Sequence, residues 1–358
     1  MTRLASILQS LMIPVLAVLL SFIIGGGLIY LSGADPFLAL NGLFMGAFGD
    51  LDAFSRTLEK ATPLVFNGLA LTLAFKAGLF NIGVQGQFLF GAIISAAVGC
   101  YVSGLPVPVH MAVAVFSGIV AGAVYGMIQG ALKAYRGAHE VITGIMLNYV
   151  AINITDYWTK GPFMDTANSN SIPRTPLILE SCQIPDIWGI PSGFLIAVLV
   201  SVVLWLFLKK TVTGFEIKTM GQGIHAARYA GIKINGMMIF IMGLSGGLAG
   251  IGGAVETMGV THRFQPGFNL GLGFEGITIA LLSRIHPVGV LPAALLLGGM
   301  KAGAGMMQFS SDIPTEIIDM MMAMILLFVA ADKLMTRVLP VLKKKEKGLA
   351  LSAGWGSK

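Results

Sequence analysis

Apolar residues run along this chain in blocks of about 20, a length suited to helices that cross a bilayer. Ten such segments are predicted, at 10–32, 58–78, 83–103, 107–132, 138–160, 191–209, 236–258, 271–285, 287–307 and 315–335. The first is longer than the apolar run of a signal peptide and no small-residue cleavage site follows it, so it is expected to remain as a span. Between the sixth and seventh blocks the pattern changes. The stretch "FEIKTMGQGIHAARYAGIKING", from Phe215 to Gly236, carries Glu216, Lys218, His225, Arg228 and Lys233. Met220, Ile224, Ala227, Gly231 and Ile234 recur at helical steps and draw one apolar stripe. That is the pattern of a short amphipathic helix.

Composition agrees with a membrane location. Only 11% of the 358 residues are charged and mean hydropathy is +0.82, whereas soluble domains carry about 25% charge. Glycine, at 47 residues, is about twice its usual share of about 7%, which suits helices packed backbone to backbone in lipid. The net charge of +6 reads through its placement rather than as a nucleic-acid footprint. With the N-terminus in the cytoplasm, alternation of ten spans puts all but six of the 23 lysines and arginines inside; the six are Arg56, Lys60, Lys160, Arg174, Arg263 and Lys301. Both termini and the 209–236 loop are then cytoplasmic. The outer loop 161–190, with four prolines, is a connector or a docking surface.

The two halves echo each other. "FNIGVQG" at 80–86 returns as "FNLGLGFEG" at 268–276, "AGAVYGMIQ" at 121–129 as "AGAGMMQ" at 302–308, and "EVI" at 140–142 as "EII" at 316–318. The order is kept, and the pairing shifts by five spans. An odd shift turns one copy over, which is the inverted repeat of many transporters. The expected organisation is an all-α integral membrane domain, 1–335, with repeat halves at 58–160 and 236–335 and a basic tail at 336–358.

Uncharged amides collect at the echoed motifs. Asn81, Gln85 and Gln87, with Asn148 on the "EVITGIMLNYVA" helix and the repeat mates Asn269 and Glu275, can donate to and accept from a neutral polar solute. They are candidates for a substrate pathway; helix capping and interhelical bonds are the other reading. Glu140 is expected to pair with Lys133 or Arg136, and Lys301 with Glu316 or Asp319, since an unpaired intramembrane charge is costly. Gly243 with Gly247, and Gly246 with Gly250, have small-xxx-small spacing, and "GIVAGAVYG" at 118–126 reads the same way. Cys100 and Cys182 both fall near the outer side and are expected to stay unpaired. There is no Gly-Lys dipeptide, hence no Walker A loop. No metal-ligand cluster and no nucleophile with its base appear, and no cofactor is expected.

The residues "AGLFNIGVQGQFLFGA", "HEVITGIMLNYVA", "GQGIHAARYAGIKI" and "FNLGLGFEGITIALLSRIHPVGVLPAALLLGGM" resemble the integral-membrane permeases of bacterial ABC importers for simple sugars and nucleosides, the ribose and branched-chain transport-like group. The resemblance covers about residues 58–335, and the "EVITGIMLNYVA" segment and the long N-terminal portion look most like the larger permease of nucleoside-type systems. The resemblance implies a permease in the bacterial cytoplasmic membrane, not itself an enzyme. It implies a second permease subunit as a heterodimer, a separate ABC ATPase and an extracytoplasmic solute-binding protein or lipoprotein. It also implies an ATPase-coupling role for residues 215–234, with Ala226, Ala227, Arg228 and Gly231 in an A-A-R-x-x-G pattern. On that reading the stripe Met220–Ile224–Ala227 enters a groove on the ATPase and Lys218 and Arg228 meet acids at its edge. Lying on the lipid surface is the rival for this helix. An ion-coupled secondary transporter is the rival for the whole chain, and the absence of a mid-membrane acid pair in both halves weighs against it.

Overall fold

The computed structural model describes residues 3–166, 172–187, 189–268 and 271–331. Among these there are thirteen α-helices and no strand. They are α1 (Arg3–Leu31), α2 (Pro36–Phe48), α3 (Leu51–Lys76), α4 (Val84–Tyr101), α5 (Val107–Arg136), α6 (Glu140–Lys160), α7 (Ser192–Lys210), α8 (Val212–Gln222), α9 (Ile224–Tyr229), α10 (Ile234–Glu256), α11 (Leu272–Leu282), α12 (Val290–Ser311) and α13 (Glu316–Ala330). Each predicted apolar segment coincides with a helix over its described residues, though fewer than ten of these helices are long and apolar enough to be spans by themselves. Six helices are long and apolar enough to cross a membrane: α1, α4, α5, α7, α10 and α12. The pair α2–α3, bent by 84°, makes a seventh when counted as one span. The chain is a multi-pass membrane protein. The tail at 336–358 lies outside the described residues.

The pattern of apolar blocks passed over α2. Its 13 residues are too few for a span, but its start is well specified. Asp35 accepts hydrogen bonds from the Phe37 and Leu38 amides at 2.8 and 3.5 Å, and Pro36 occupies the first helical position. Such a cap with proline behind it is a strong helix start. Asp50 then caps α3 by accepting from the Ala53 amide at 2.6 Å. α2 packs along α12, where Gly42 and Gly46 lie against Met306 and Gly303.

α3 and α10 form the centre. From Ala61 to Phe75, α3 is buried on every side, and so is most of α10 beyond Met242. Helices apolar all round are placed this way. The most extensive seam joins α5 to α10. A methyl group built on Gly122 would lie 2.3 Å from the Gly246 carbonyl oxygen, and one on Gly250 would lie 2.2 Å from that of Gly118. Lipid gives no hydrophobic drive between helices, so backbone contact supplies the attraction. Gly246 and Gly250 carry the seam. Gly243 faces the flexible Met127, and Gly247 has 3.4 Å to its nearest neighbour, Ile119.

Cys100 and Cys182 are both free. The Cys100 thiol donates to the Pro176 carbonyl at 3.1 Å. Burial pushes the Cys182 thiol up to about 11, so it is neutral and inert at physiological pH.

Overpacking costs about 1–3 kcal/mol when neighbouring side chains can yield; at the α5–α10 seam the opposing atoms are backbone. Gly122→Leu and Gly250→Leu are therefore expected to lose the monodisperse folded protein in detergent chromatography. Gly247→Ala should keep its thermal midpoint within a few degrees. Equal tolerance of all three would contradict this packing.

Candidate functional site

α4 begins without a side-chain cap of its own. Amides from other helices organise its entry instead. The Gly86 amide donates to Asn148 Oδ1 at 2.8 Å, and Asn148 Nδ2 donates to the Ile82 carbonyl at 2.9 Å. Asn148 on α6 thus holds the 82–86 turn at both ends. Asn81 Nδ2 donates to Gln87 Oε1 at 2.9 Å and to Ser245 Oγ at 2.8 Å. Gln87 Nε2 donates back to Asn81 Oδ1 at 3.1 Å and to Gln129 Oε1 at 3.3 Å. Gln129 Nε2 continues to the Glu140 carbonyl, and Ser245 Oγ donates to the Ala70 carbonyl on α3. Asn81, Gln87, Gln129 and Ser245 are fully buried. The network ties α3, α4, α5, α6 and α10 together, and its polar groups are affordable in an apolar core because they satisfy one another.

Gln85 reaches the other echoed motif. Its Oε1 accepts the Gly273 amide at 2.8 Å, so the first turns of α4 and α11 abut. A side chain at Gly273 would strike the Gln85 backbone, 2.6 Å away. Asn269 lies outside the described residues. Glu275, half-buried on α11, binds Lys301 Nζ through Oε1 at 2.7 Å. That corrects the expected pairing of Lys301 with Glu316 or Asp319: α11 brings Glu275 to Lys301, and Asp319 remains only within electrostatic range. The expected pairing of Glu140 is found with Lys133, at 2.6 Å.

Sequence reasoning did not single out Gln129, Ser245 or Asn67, although each is a polar residue inside an apolar helix, a signal in itself. Asn67 is fully buried on α3 against Gly276, with neither Oδ1 nor Nδ2 hydrogen-bonded.

α6 divides into two faces. Gly144, Asn148, Ala151, Thr155 and Thr159 are buried. Ile142, Met146, Tyr149, Asn153 and Tyr157 are exposed. Asn153 Nδ2 donates to the Tyr149 carbonyl at 2.8 Å. A strip of two tyrosines and an amide is unlike the valine- and leucine-rich outer faces of α5 and α7. Polar side chains in membrane helices face protein or water rather than lipid.

The amphipathic segment forms two helices, α8 and α9, meeting at Gly223. Its apolar stripe turns inward. Met220 and Ala227 are buried within the protein, together with Ile217, Ile232 and Ile234. This corrects the expectation that Met220 and Ala227 enter a partner's groove. The stripe packs on α3, α7 and α10, with Gly221 against the Lys76 carbonyl and Gly214 against Leu208. The outward side carries Phe215, Ile224, His225, Arg228, Tyr229 and Gly231, with Lys218 half-buried at the flank. Lys76, Lys218 and His286 share this end of the bundle. Among the described residues no group of three or more His, Cys, Asp or Glu could hold a metal ion.

Removing one member of the amide network strands its partners. Asn81→Ala leaves Gln87 and Ser245 short of a buried bond, a cost of about 1–3 kcal/mol for each unsatisfied group. The thermal midpoint in detergent should fall by several degrees. An unchanged midpoint would mean that water replaces the side chain and the site is wet.

Residues 53–330 match the family described as branched-chain amino acid transport system / permease component. The chain is 36% identical to the guanosine ABC transporter permease protein NupP of Bacillus subtilis over 342 residues, covering 94% of this chain and 98% of the relative. It is 32% identical to the nucleoside ABC transporter permease protein NupB of Lactococcus lactis over 345 residues, 94% of each chain. It is 30% identical to the glucose ABC transporter permease protein TsgB13 of Haloferax volcanii, over 90% of this chain and 88% of the relative. A match over most of the length, from the first turn of α3 to the end of α13, shows that the chain belongs to this family of ABC transporter permeases.

Proposed function

We propose that this chain is the membrane-spanning permease of an ATP-driven importer that carries a nucleoside or a related polar solute into the cytoplasm. ATP hydrolysis belongs to a separate ATPase subunit. A second permease completes the pathway, and an extracytoplasmic solute-binding protein or lipoprotein delivers the solute, in the cytoplasmic membrane of a bacterium. The relatives named for guanosine and nucleosides support the solute class.

The observation that carries the reading is the outward face of α6. Tyr149 and Tyr157 stand two turns apart with Asn153 between them. Tyrosines supply flat surfaces for a base, and the amide supplies a donor or acceptor. Facing a second permease, this strip lines a path between the two subunits. Asn81, Gln85, Gln87 and Asn148 then act one layer behind it by holding α6 against α4 and α11. Asn269 and Glu275 take the corresponding place in the second half if the halves are inverted repeats. Support for that repeat comes from the abutting first turns of α4 and α11, where the two echoed motifs touch.

The end bearing α8 and α9 faces the cytoplasm and receives the ATPase. Its contact surface is the exposed one, Ile224, Arg228, Tyr229 and Gly231 with Lys218 at the edge, because Met220 and Ala227 already serve the permease core. A simple-sugar permease is the second reading, favoured by the relative named for glucose.

Uptake of labelled guanosine by cells expressing the full transporter tests the solute class. Unlabelled guanosine should compete and glucose should not; the reverse would establish the sugar reading. Base–aromatic stacking contributes about 1–3 kcal/mol. Tyr149→Ala should therefore lower kcat/KM for the nucleoside about five- to hundredfold with the protein at normal abundance, and an unaffected kcat/KM would move the path away from α6.

Arg228→Glu tests coupling. A charge change on an exposed helix shifts stability by no more than about 0.5 kcal/mol, whereas juxtaposed like charges at an interface cost several kcal/mol. ATP-driven uptake should drop at least tenfold while the permease inserts normally. Wild-type uptake would remove Arg228 from the ATPase contact.

A further inference from the structure

Asn81, Gln87, Gln129 and Asn148 all hold hydrogen bonds; Asn67, on the central helix α3, holds none. It is fully buried, and both Oδ1 and Nδ2 lack a partner. A primary amide carries two donors and a two-lone-pair acceptor, so leaving it unbonded in a core is a heavy penalty. Such a group in a native protein calls for a reason. Its surroundings supply one. A methyl group built on Gly276 of α11 would lie 3.0 Å from Asn67 Cβ and 2.9 Å from the Leu71 side chain, and one on Gly68 would lie 2.6 Å from the Ile279 side chain. The α3–α11 contact is close and apolar except for this amide. Among the described residues a side-chain hydrogen bond ties α3 to α10, through Ser245, and none ties it to α11.

α11 is mounted unlike its neighbours. It has 11 residues, a length of about 16 Å, half a span. It starts at Gly271, which has φ of 100° and gives no side-chain cap, a joint that glycine makes without strain. It ends in a turn where Arg284 and Ile285 are both left-handed, with φ of 52° and 56°. Ile285 is buried, and Ser201 on α7 donates to the Pro287 carbonyl at 2.8 Å, so this end is pinned. The glycine end is held by the Gly273 amide on Gln85 Oε1 at 2.8 Å and by Glu275 on Lys301 at 2.7 Å. The long lysine chain can follow a displacement; the amide bond cannot.

We propose that the α3–α11 contact parts during the transport cycle. α11 tilts on its pinned C-terminal turn, the Gly273–Gln85 bond releases as a latch, and water reaches Asn67. The unbonded amide raises the free energy of the closed contact and not of the open one, where water bonds it, so it holds the two states near balance. A leucine of similar volume would make a better core there and a poorer moving joint. α3 is also the helix on which α8 bears, through Gly221 at the Lys76 carbonyl. The inference rests on the permease reading above, which supplies the ATP-driven cycle.

Two measurements on the full transporter test it. Asn67→Leu should raise the thermal midpoint by a few degrees, because an unsatisfied group is removed, and should slow ATP-driven uptake about fivefold or more, because the closed contact is now favoured. A lower midpoint would mean that the amide is already satisfied, and uptake at the wild-type rate would mean that the contact does not open; either overturns the proposal. Wild-type protein gives a readout that needs no substitution. Hydrogen exchange at the Gly273 amide, resolved by fragmentation mass spectrometry, should be about tenfold faster during ATP turnover than at rest. Equal exchange in a transporter that is importing solute would also overturn it. Failure of the wild type to import any solute with ATP would sink the permease reading instead, and the midpoint of Asn67→Leu would still judge the buried amide.

Discussion

The bundle depends on glycine meeting backbone at the α5–α10 seam. In water, two helices are driven together by burial of their apolar faces. In lipid that drive is absent, and only close contact of the surfaces themselves holds them. Gly122 meets Gly246 and Gly250, Gly126 meets the Met242 carbonyl, and Gly250 meets the Gly118 carbonyl, each so closely that no β-carbon fits. Because α10 is also the inner wall against α3 and α4, the seam sets the position of Ser245, through it of Asn81, and so of the start of α4.

Close packing and buried polarity serve each other here. A loose core would admit water to the amide cluster, and an unsatisfied cluster would cost more than the packing returns. The cluster fixes the direction of α4 and anchors α6 through Asn148, so the outward strip of Tyr149, Asn153 and Tyr157 stands on a rigid support. Rigid placement behind an exposed face suits the solute-lining role proposed for that strip.

Much of this was legible in the sequence because lipid makes helices long and their interiors apolar. The ten apolar blocks coincide with helices over their described residues, although only six or seven of those helices meet the length and apolarity of a span. α2 was missed for a physical reason: at 13 residues it is specified by its cap, Asp35 followed by Pro36, rather than by length. The amides at 81, 85, 87 and 148 stood out by type, but their partners did not, because Gln129 and Ser245 come from helices distant in sequence and only the α5–α10 seam brings them in. The stripe through Met220 and Ala227 has the right period. Periodicity tells that one face is covered and not what covers it, so its direction, into the permease, required the three-dimensional arrangement. Lys301 shows the same limit, since α11 and not α13 supplies its carboxylate.

The inward packing of α8 has a mechanical consequence. Gly221 rests on the carbonyl of Lys76, the last residue of α3, and Gly214 rests on the end of α7. With backbone against backbone there is no layer of pliable side chains to absorb a displacement. A thrust on the exposed side of α8 and α9 passes to α3 as through a stiff coupling rod, and α3 runs buried through the centre of the molecule beside α10, α11 and α12. The glycine at 221 thus acts as a bearing surface, small so that the linkage has no slack.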